Sequence, residues 1–506
     1  MKYIKFIIIA LGAIMLSNCS NFEEINTNPD SSTNVNSSLL ATGAIAGIMK
    51  SSTGAVFVDN LFISKYLAWG EKSRGNQYND FYRTSFSGYT SLKDYKTMAE
   101  LAPENMKDAY EGLALFLKAY TLFDITLSVG DIPYTEILKG DEGVFTPKYD
   151  TQKDVCLFLI EDLENAYNKM KNASDFDGDF VFQGSSKQWA KVITAFQLRL
   201  LLNLSKKELD EDLKIVERFR SIYKNGSLME SNDDNLQLVY SDKANQMYPF
   251  NESINRHWAY PMLSDFLVNM LKENNDYRLF YYGSPSASKL SEGIAANSWD
   301  AFVGTDPTKP ISEIKEDFAN LNYSSLNARY VSYIPGEPYI RLGYAEQKFI
   351  LAEAALRGWI DEDPEKLYKE GIAASMNFIK DYTPDDIKYH YGNKITDEYI
   401  VEFLNQPSIA LKGDFESKLE KIMTQKYIAS FMQLPWQPYY DYRRTGYPKF
   451  PINPETSLNF NAPDKLPVRW QYPDSEISYN KENVEESIKR QYDGSDEVNK
   501  LMWILK

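Results

Sequence analysis

The chain has 506 residues, 43% of them apolar and 25% charged, with a formal net charge of −16. That is enough apolar material for a sizeable core, in one large domain or several small ones. The acidic balance argues against a nucleic-acid partner, whose binders are basic, and disfavours a strongly anionic ligand unless a local basic pocket exists.

Lys2 and Lys5 precede an apolar run from Phe6 to Leu16. The run is too short to span a bilayer and suits the apolar region of a secretory signal. It ends in Leu16-Ser17-Asn18-Cys19, which resembles a lipobox, with Asn18 where a smaller residue is usual. Residues 1–18 are expected to be a cleaved lipoprotein signal, with Cys19 acylated by palmitate-type chains that hold the protein on a membrane. Residues 19–38, rich in Asn, Ser and Thr, read as the lipidated cysteine and a flexible tether. Ser20, Glu23 and Glu24 resemble the surface-export signal of Bacteroidota lipoproteins. Cys156 then has no internal disulfide partner; on the apolar face of a helix it reads as a buried, inert thiol.

From residue 39 the pattern is mainly helical. Leu39 to Trp69 contains no proline and follows a serine-rich cap; Gly70 to Tyr89 breaks into polar, aromatic loop. Pro103 suits the first turn of a helix reaching about Leu127, apolar nearly all round and so expected to be buried. Gly130-Asp131-Ile132-Pro133 reads as a sharp turn, Thr151–Lys171 as a helix, and Ser185 or Ser186 as the cap of the next. A further helix is expected from about Lys207 to Tyr223. The loop Asp175–Asp179 has some look of a calcium loop but lacks the glycine and distal glutamate of an EF-hand, so no metal is expected.

Residues 225–341 differ in composition, being rich in Gly, Pro, Ser, Asn and Tyr. They read as a loop-rich insertion with a few short strands and one amphipathic helix near Pro261–Asn274. Helices resume at Tyr344–Arg357, Pro364–Lys380, Thr396–Leu404 and Asp414–Leu434, with Asp363 capping the second and Pro435 ending the last. The fold class is mainly α: helical pairs of tetratricopeptide type, without a clean 34-residue repeat, in a single domain over residues 39–506.

Two C-terminal stretches stand out. Gln425–Tyr447 carries Trp436, Tyr439, Tyr440, Tyr442, Arg443 and Arg444; Leu466–Asn480 carries Arg469, Trp470, Tyr472 and Glu476. Guanidinium groups stack on aromatic rings while keeping outward donors. The pair reads as an internal clasp with carboxylate–arginine pairing between the stretches, the alternative being an aromatic–arginine ligand site.

Catalytic motifs are scarce. His257 and His390 are the only histidines, and HExxH, GxSxG, GxGxxG and the phosphate-binding GxxxxGK[ST] loop are absent. The chain leans towards a binding protein rather than an enzyme, and no cofactor is expected. With 36 Tyr, 27 Phe and 8 Trp, aromatic platforms for sugar rings are available. Binding residues tend to lie on loops over a rigid scaffold. Trp69, Asn76, Tyr78 and Tyr82 in the first loop are therefore ligand-binding candidates. Trp299, Tyr323, Tyr330, Tyr333 and Arg341 in the insertion form the second set.

Several segments together resemble the SusD/RagB family of nutrient-binding lipoproteins. They are NFEEINTNPDS (21–31), GDIPYTE (130–136), WAKVITAFQLRLLLNLS (189–205), AEQKFILAEAALRGW (345–359) and YKEGIAASM (368–376), then QKYIASF (425–431), RRTGYP (443–448) and RWQYPDSEISYN (469–480). The resemblance implies a non-enzymatic helical scaffold with a loop-rich ligand face on the outer surface of the outer membrane. It further implies capture of an oligosaccharide, or of a peptide in the RagB-like case. The ligand would pass to a SusC-like TonB-dependent transporter, on which the protein sits as a lid. The family's motifs are mostly structural, so no site residue is carried over by motif.

Overall fold

The computed structural model describes residues 35–506. The signal segment, Cys19 and the tether up to residue 34 lie outside the described residues. Helix α1 (Ser37–Met49) is capped by Asn36, whose side chain accepts from the Leu39 N–H. It is followed by α2 (Leu92–Glu100), α3 (Lys107–Val129), α4 (Gln152–Met170), α5 (Ser186–Asn203) and α6 (Ile215–Asn225). Helices α3 and α4 pack along each other, α5 lies against α4, and α1 and α2 cover the start of the bundle. Helix α3 is apolar enough to cross a membrane, yet Leu113, Phe116, Leu117 and Leu122 are fully enclosed by its neighbours, as befits a core helix. Thr151 and Ser185 cap α4 and α5.

Three expectations need correction. Leu39–Trp69 is not one helical block: after α1 come a 3-10 turn, a short helix at Asp59–Ile63 and strand β1 (Leu67–Trp69). The helix expected from Lys207 starts only at Ile215, because Lys207–Lys214 forms turns in which Asp210 Oδ1 caps the Asp212 and Leu213 N–H groups. The helix ending at Pro435 stops earlier, at Ala429, and Gln437–Thr445 makes a helix of its own, with Pro438 in its first turn.

The insertion is fastened to the scaffold by two small sheets. Strand β2 (Leu236–Leu238) pairs antiparallel with β4 (Tyr339–Leu342), closing the insertion at its base. Strand β1 pairs with β3 (Pro261–Leu263), with Trp69 opposite Pro261, so the first loop and the insertion are locked together. Within the insertion are α7 (Asp265–Glu273) and α8 (Ile311–Ala319). The chain returns through α9 (Tyr344–Leu356), α10 (Pro364–Asp381, capped by Asp363), α11 (Phe415–Ala429), α12 (Gln437–Thr445) and α13 (Lys481–Tyr492).

Buried ion pairs join the two halves. Arg199 on α5 donates through Nε to Glu346 Oε1 on α9 at 2.8 Å. Arg444 on α12 pairs with Glu353 of α9 and with Asp441. The two C-terminal stretches do form a clasp, but not by carboxylate–arginine pairing. Arg443 donates to the Leu127 and Val468 carbonyls, Tyr439 to the Pro467 carbonyl, and the Trp436 and Trp470 rings meet at 5.2 Å. The arginines find their acids elsewhere: Arg469 pairs with Asp496, while Glu476 accepts from the Tyr149 hydroxyl. Asp179 of the calcium-like loop accepts from the Val181, Phe182 and Gly184 N–H groups and from the Trp189 indole, so its carboxylate fastens a turn. Cys156 is fully buried, which pushes its thiol up to about 12.

Candidate functional site

The β1–β3 pairing brings the first loop and the insertion edge to edge. Gly70 N–H donates to the Tyr260 carbonyl at 3.0 Å. A Cβ at residue 70 would stand 2.3 Å from the Phe318 ring, so only glycine lets α8 approach here. The result is a ladder of half-buried rings. Tyr323 stacks on Phe318 with centroids 5.4 Å apart and planes 19° apart. Phe318 lies 5.9 Å from Tyr260, and Tyr260 lies 5.4 Å from Trp69. His257 stands 6.1 Å from both Trp69 and Tyr260. Trp69 itself is fully buried beneath, with the Arg74 guanidinium 4.2 Å from its ring centroid.

Through His257 the ladder adjoins a cleft of about 780 Å³, within the range usual for ligand pockets. Lys50, Ser51, Tyr240, Met247, Arg256 and His257 contribute to its walls. Asn255 holds those walls in place: its amide donates to the Gly54 carbonyl at 3.2 Å and to the Pro249 carbonyl at 3.1 Å. The Tyr240 hydroxyl meets Ser51 Oγ at 2.9 Å, and burial pushes it up to about 12, so it remains a neutral hydrogen-bonding group. Lys65, fully buried, anchors the neighbouring turn by donating to the Gln77 carbonyl and to Asn79 Oδ1; burial brings it down to about 7.

The nine candidate residues separate. Trp69 and Tyr323 meet in the ladder, one as buried support and one as a half-buried ring. Asn76 and Tyr82 line a different cleft, of about 420 Å³, together with Trp436, Tyr440 and Trp470. Tyr333 lines a third, of about 760 Å³, which shares Tyr240 with the first. Arg341 lies beside the first cleft, where Nη2 donates to the Lys50 carbonyl at 2.7 Å. Tyr78 is buried and donates to the Lys309 carbonyl. Tyr330 is fully buried, its hydroxyl accepting from Arg329 Nη1. Trp299 packs on Phe280 at 4.7 Å, apart from the ladder. Tyr260, Phe318, His257, Arg256 and Lys50 escaped the sequence reading. A signal existed in the run His257-Trp258-Ala259-Tyr260 directly before a strand that begins with proline.

Among the described residues no group of three or more His, Cys, Asp or Glu is arranged to hold a metal ion. The arrangement offers apolar ring faces beside hydroxyl, amide and cationic groups, which suits reversible capture of a ligand with both apolar faces and polar edges.

Comparison with known proteins agrees with this architecture. A SusD-like family profile, described as "Starch-binding associating with outer membrane", matches residues 29–473. A SusD homologue from Bacteroides fragilis NCTC 9343 superposes with a TM-score of 0.91 at 51% identity, covering 93% of this chain and 100% of that one. A second SusD homologue from the same organism gives 0.82 at 31% identity, covering 94% and 100%. A chitin-binding SusD homologue from Flavobacterium johnsoniae, at 20% identity and a TM-score of 0.70 over 92% of this chain and 98% of that one, shares the fold. No curated protein matches the sequence. The chain therefore belongs to the SusD-like family of nutrient-binding proteins associated with the outer membrane.

Proposed function

We propose that this protein is a cell-surface lipoprotein, anchored through Cys19, that captures an oligosaccharide and hands it to a SusC-like TonB-dependent transporter without catalysing a reaction on it. The observation that carries this reading is the Tyr260–Phe318–Tyr323 ladder beside the 780 Å³ cleft. The exposed parts of these half-buried rings offer apolar contact to a pyranose, and a ring that stacks on it contributes about 1 kcal/mol. Asn76 and Tyr82, beside Trp436 and Trp470, and Tyr333 on the cleft that shares Tyr240, are proposed to contact more distant parts of a longer chain. A peptide is the alternative ligand, since aromatic faces serve it as well.

The test is calorimetric titration of the mature protein, purified in detergent, against panels of glycans and of peptides, with product analysis. Binding of one glycan class with no released product supports the reading. Binding confined to peptides replaces the ligand, and newly formed reducing ends overturn capture without catalysis. Cys19→Ala is expected to move the protein from the membrane fraction to the soluble one; retention at the membrane would defeat the anchor. Co-purification of a transporter with the tagged wild type tests the partner.

A further inference from the structure

The cleft beside the ladder carries charge opposite in sign to the rest of the molecule. The chain has 71 Asp and Glu against 55 Lys and Arg. Yet the cleft is lined by two cations, Lys50 and Arg256, and by no carboxylate. Lys50 and Arg256 are exposed there. Neither joins an ion pair among the described residues, and the same holds for Arg341, which donates to the Lys50 carbonyl. Arg256 Nε donates to His257 Nε2 at 3.2 Å, which orients the guanidinium and leaves its terminal nitrogens without a protein acceptor. The acids close by in sequence face elsewhere or lie outside the lining: Asp242 lines the neighbouring cleft, and Glu252 is exposed. Glu71, at the Trp69 end, takes the indole N–H at 3.3 Å.

A cleft lined by one sign of charge focuses the field and concentrates ligands of the other sign. In so acidic a protein much of the surface repels anions, so this cleft is a favourable place for an anionic ligand. Arginine pairs with planar anions through two parallel hydrogen bonds, which lysine supplements as a point charge. Resting on the reading of this cleft as a glycan site, we infer that its ligand is an acidic oligosaccharide. Its carboxylate or sulfate groups meet Arg256 and Lys50 while its apolar faces lie against the exposed parts of the Tyr260, Phe318 and Tyr323 rings.

The experiment compares four probes against the mature protein in detergent: an oligogalacturonate, its methyl ester, a sulfated galactan oligosaccharide and a maltooligosaccharide. An acidic probe is expected to bind, and the neutral ones to bind at least about tenfold more weakly. A preference for the galacturonate over the sulfated probe, or the reverse, identifies which anion is read. Arg256→Gln and Lys50→Gln are each expected to weaken the acidic probe by about five- to tenfold. Both residues are exposed, so the melting temperature should stay unchanged. Raising the salt from about 50 to 500 mM should weaken the acidic probe selectively. If the neutral probes bind as tightly as the acidic ones, or if both variants bind the acidic probe like the wild type, the acidic ligand is wrong and glycan capture stands. If no glycan in the four-probe set or the broader panel binds, both readings fall.

Discussion

Arg444 and Glu353 form a buried two-point ion pair between α12 and α9: Nη2 donates to Oε2 at 2.7 Å while Nη1 donates to Oε1. Arg357 donates to the same carboxylate from the next turn of the chain, and Asp441 takes a second bond from Arg444. Together with Arg199–Glu346, this pair fastens the segments WAKVITAFQLRLLLNLS, AEQKFILAEAALRGW and RRTGYP to one another. Three of the segments that carry the family resemblance are thus joined by the ionic frame of the scaffold, and none of the three supplies a ring to the ladder.

Acid should loosen this frame. Burial alone would raise the Glu353 carboxyl, but Arg444 and Arg357 outweigh it and hold it down at about 2. A carboxyl depressed in the fold stabilises above its unfolded value near 4.5 and loses that contribution as pH falls towards 2. The loss is on the order of 3 kcal/mol. Glu353→Gln should cost about 3–5 kcal/mol at neutral pH and flatten the acid limb of stability between those values. Denaturant melts across that range check it.

The ladder should be separable from the fold. Tyr323→Ala removes a half-buried terminal ring and is expected to weaken ligand by about 1 kcal/mol, with little change in melting temperature. Gly70→Ala should act at a distance: the new methyl must displace Phe318, so affinity falls although residue 70 need not touch ligand. Titration and thermal melts of both variants, with the ligand identified by the panels, read the two effects apart.

Trp69→Ala should fail differently. The side chain is fully buried against Phe62, Tyr260 and Arg74. Truncating it should cost about 3–5 kcal/mol of stability, so its loss of binding comes with a lowered melting temperature. Tyr82→Ala, at a residue 62% exposed, should leave the melting temperature within error.

Cys156 should be silent to alkylation in the native protein, since its thiol is enclosed and pushed up to about 12. Iodoacetamide with mass readout should modify it only in denaturant.

Helix periodicity and caps are local, and they were legible: Asp363 caps its helix as expected, Ser185 is the cap of the pair Ser185 or Ser186, and Thr151, read as the first residue of its helix, is its cap. The buried faces of α3 and α5 follow from their apolar spacing, and the loop-rich character of residues 225–341 from composition. Helix ends set by side-chain competition, such as the Asp210 turns before α6, were not visible, because a cap and a turn use the same residue types.

The sequence by itself determined the helical scaffold, the family resemblance and the aromatic supply from which a ligand face is built. Only the tertiary structure decided which aromatics remain at the surface. Trp69 and Tyr330 went to the core while Tyr260 and Phe318 joined Tyr323, because the β1–β3 register and the close approach at Gly70 bring together segments far apart in the chain. The sign of the cleft was decided the same way. A net charge of −16 is a sum over the whole chain, whereas a ligand meets only the few charged side chains that folding gathers, here Lys50 and Arg256.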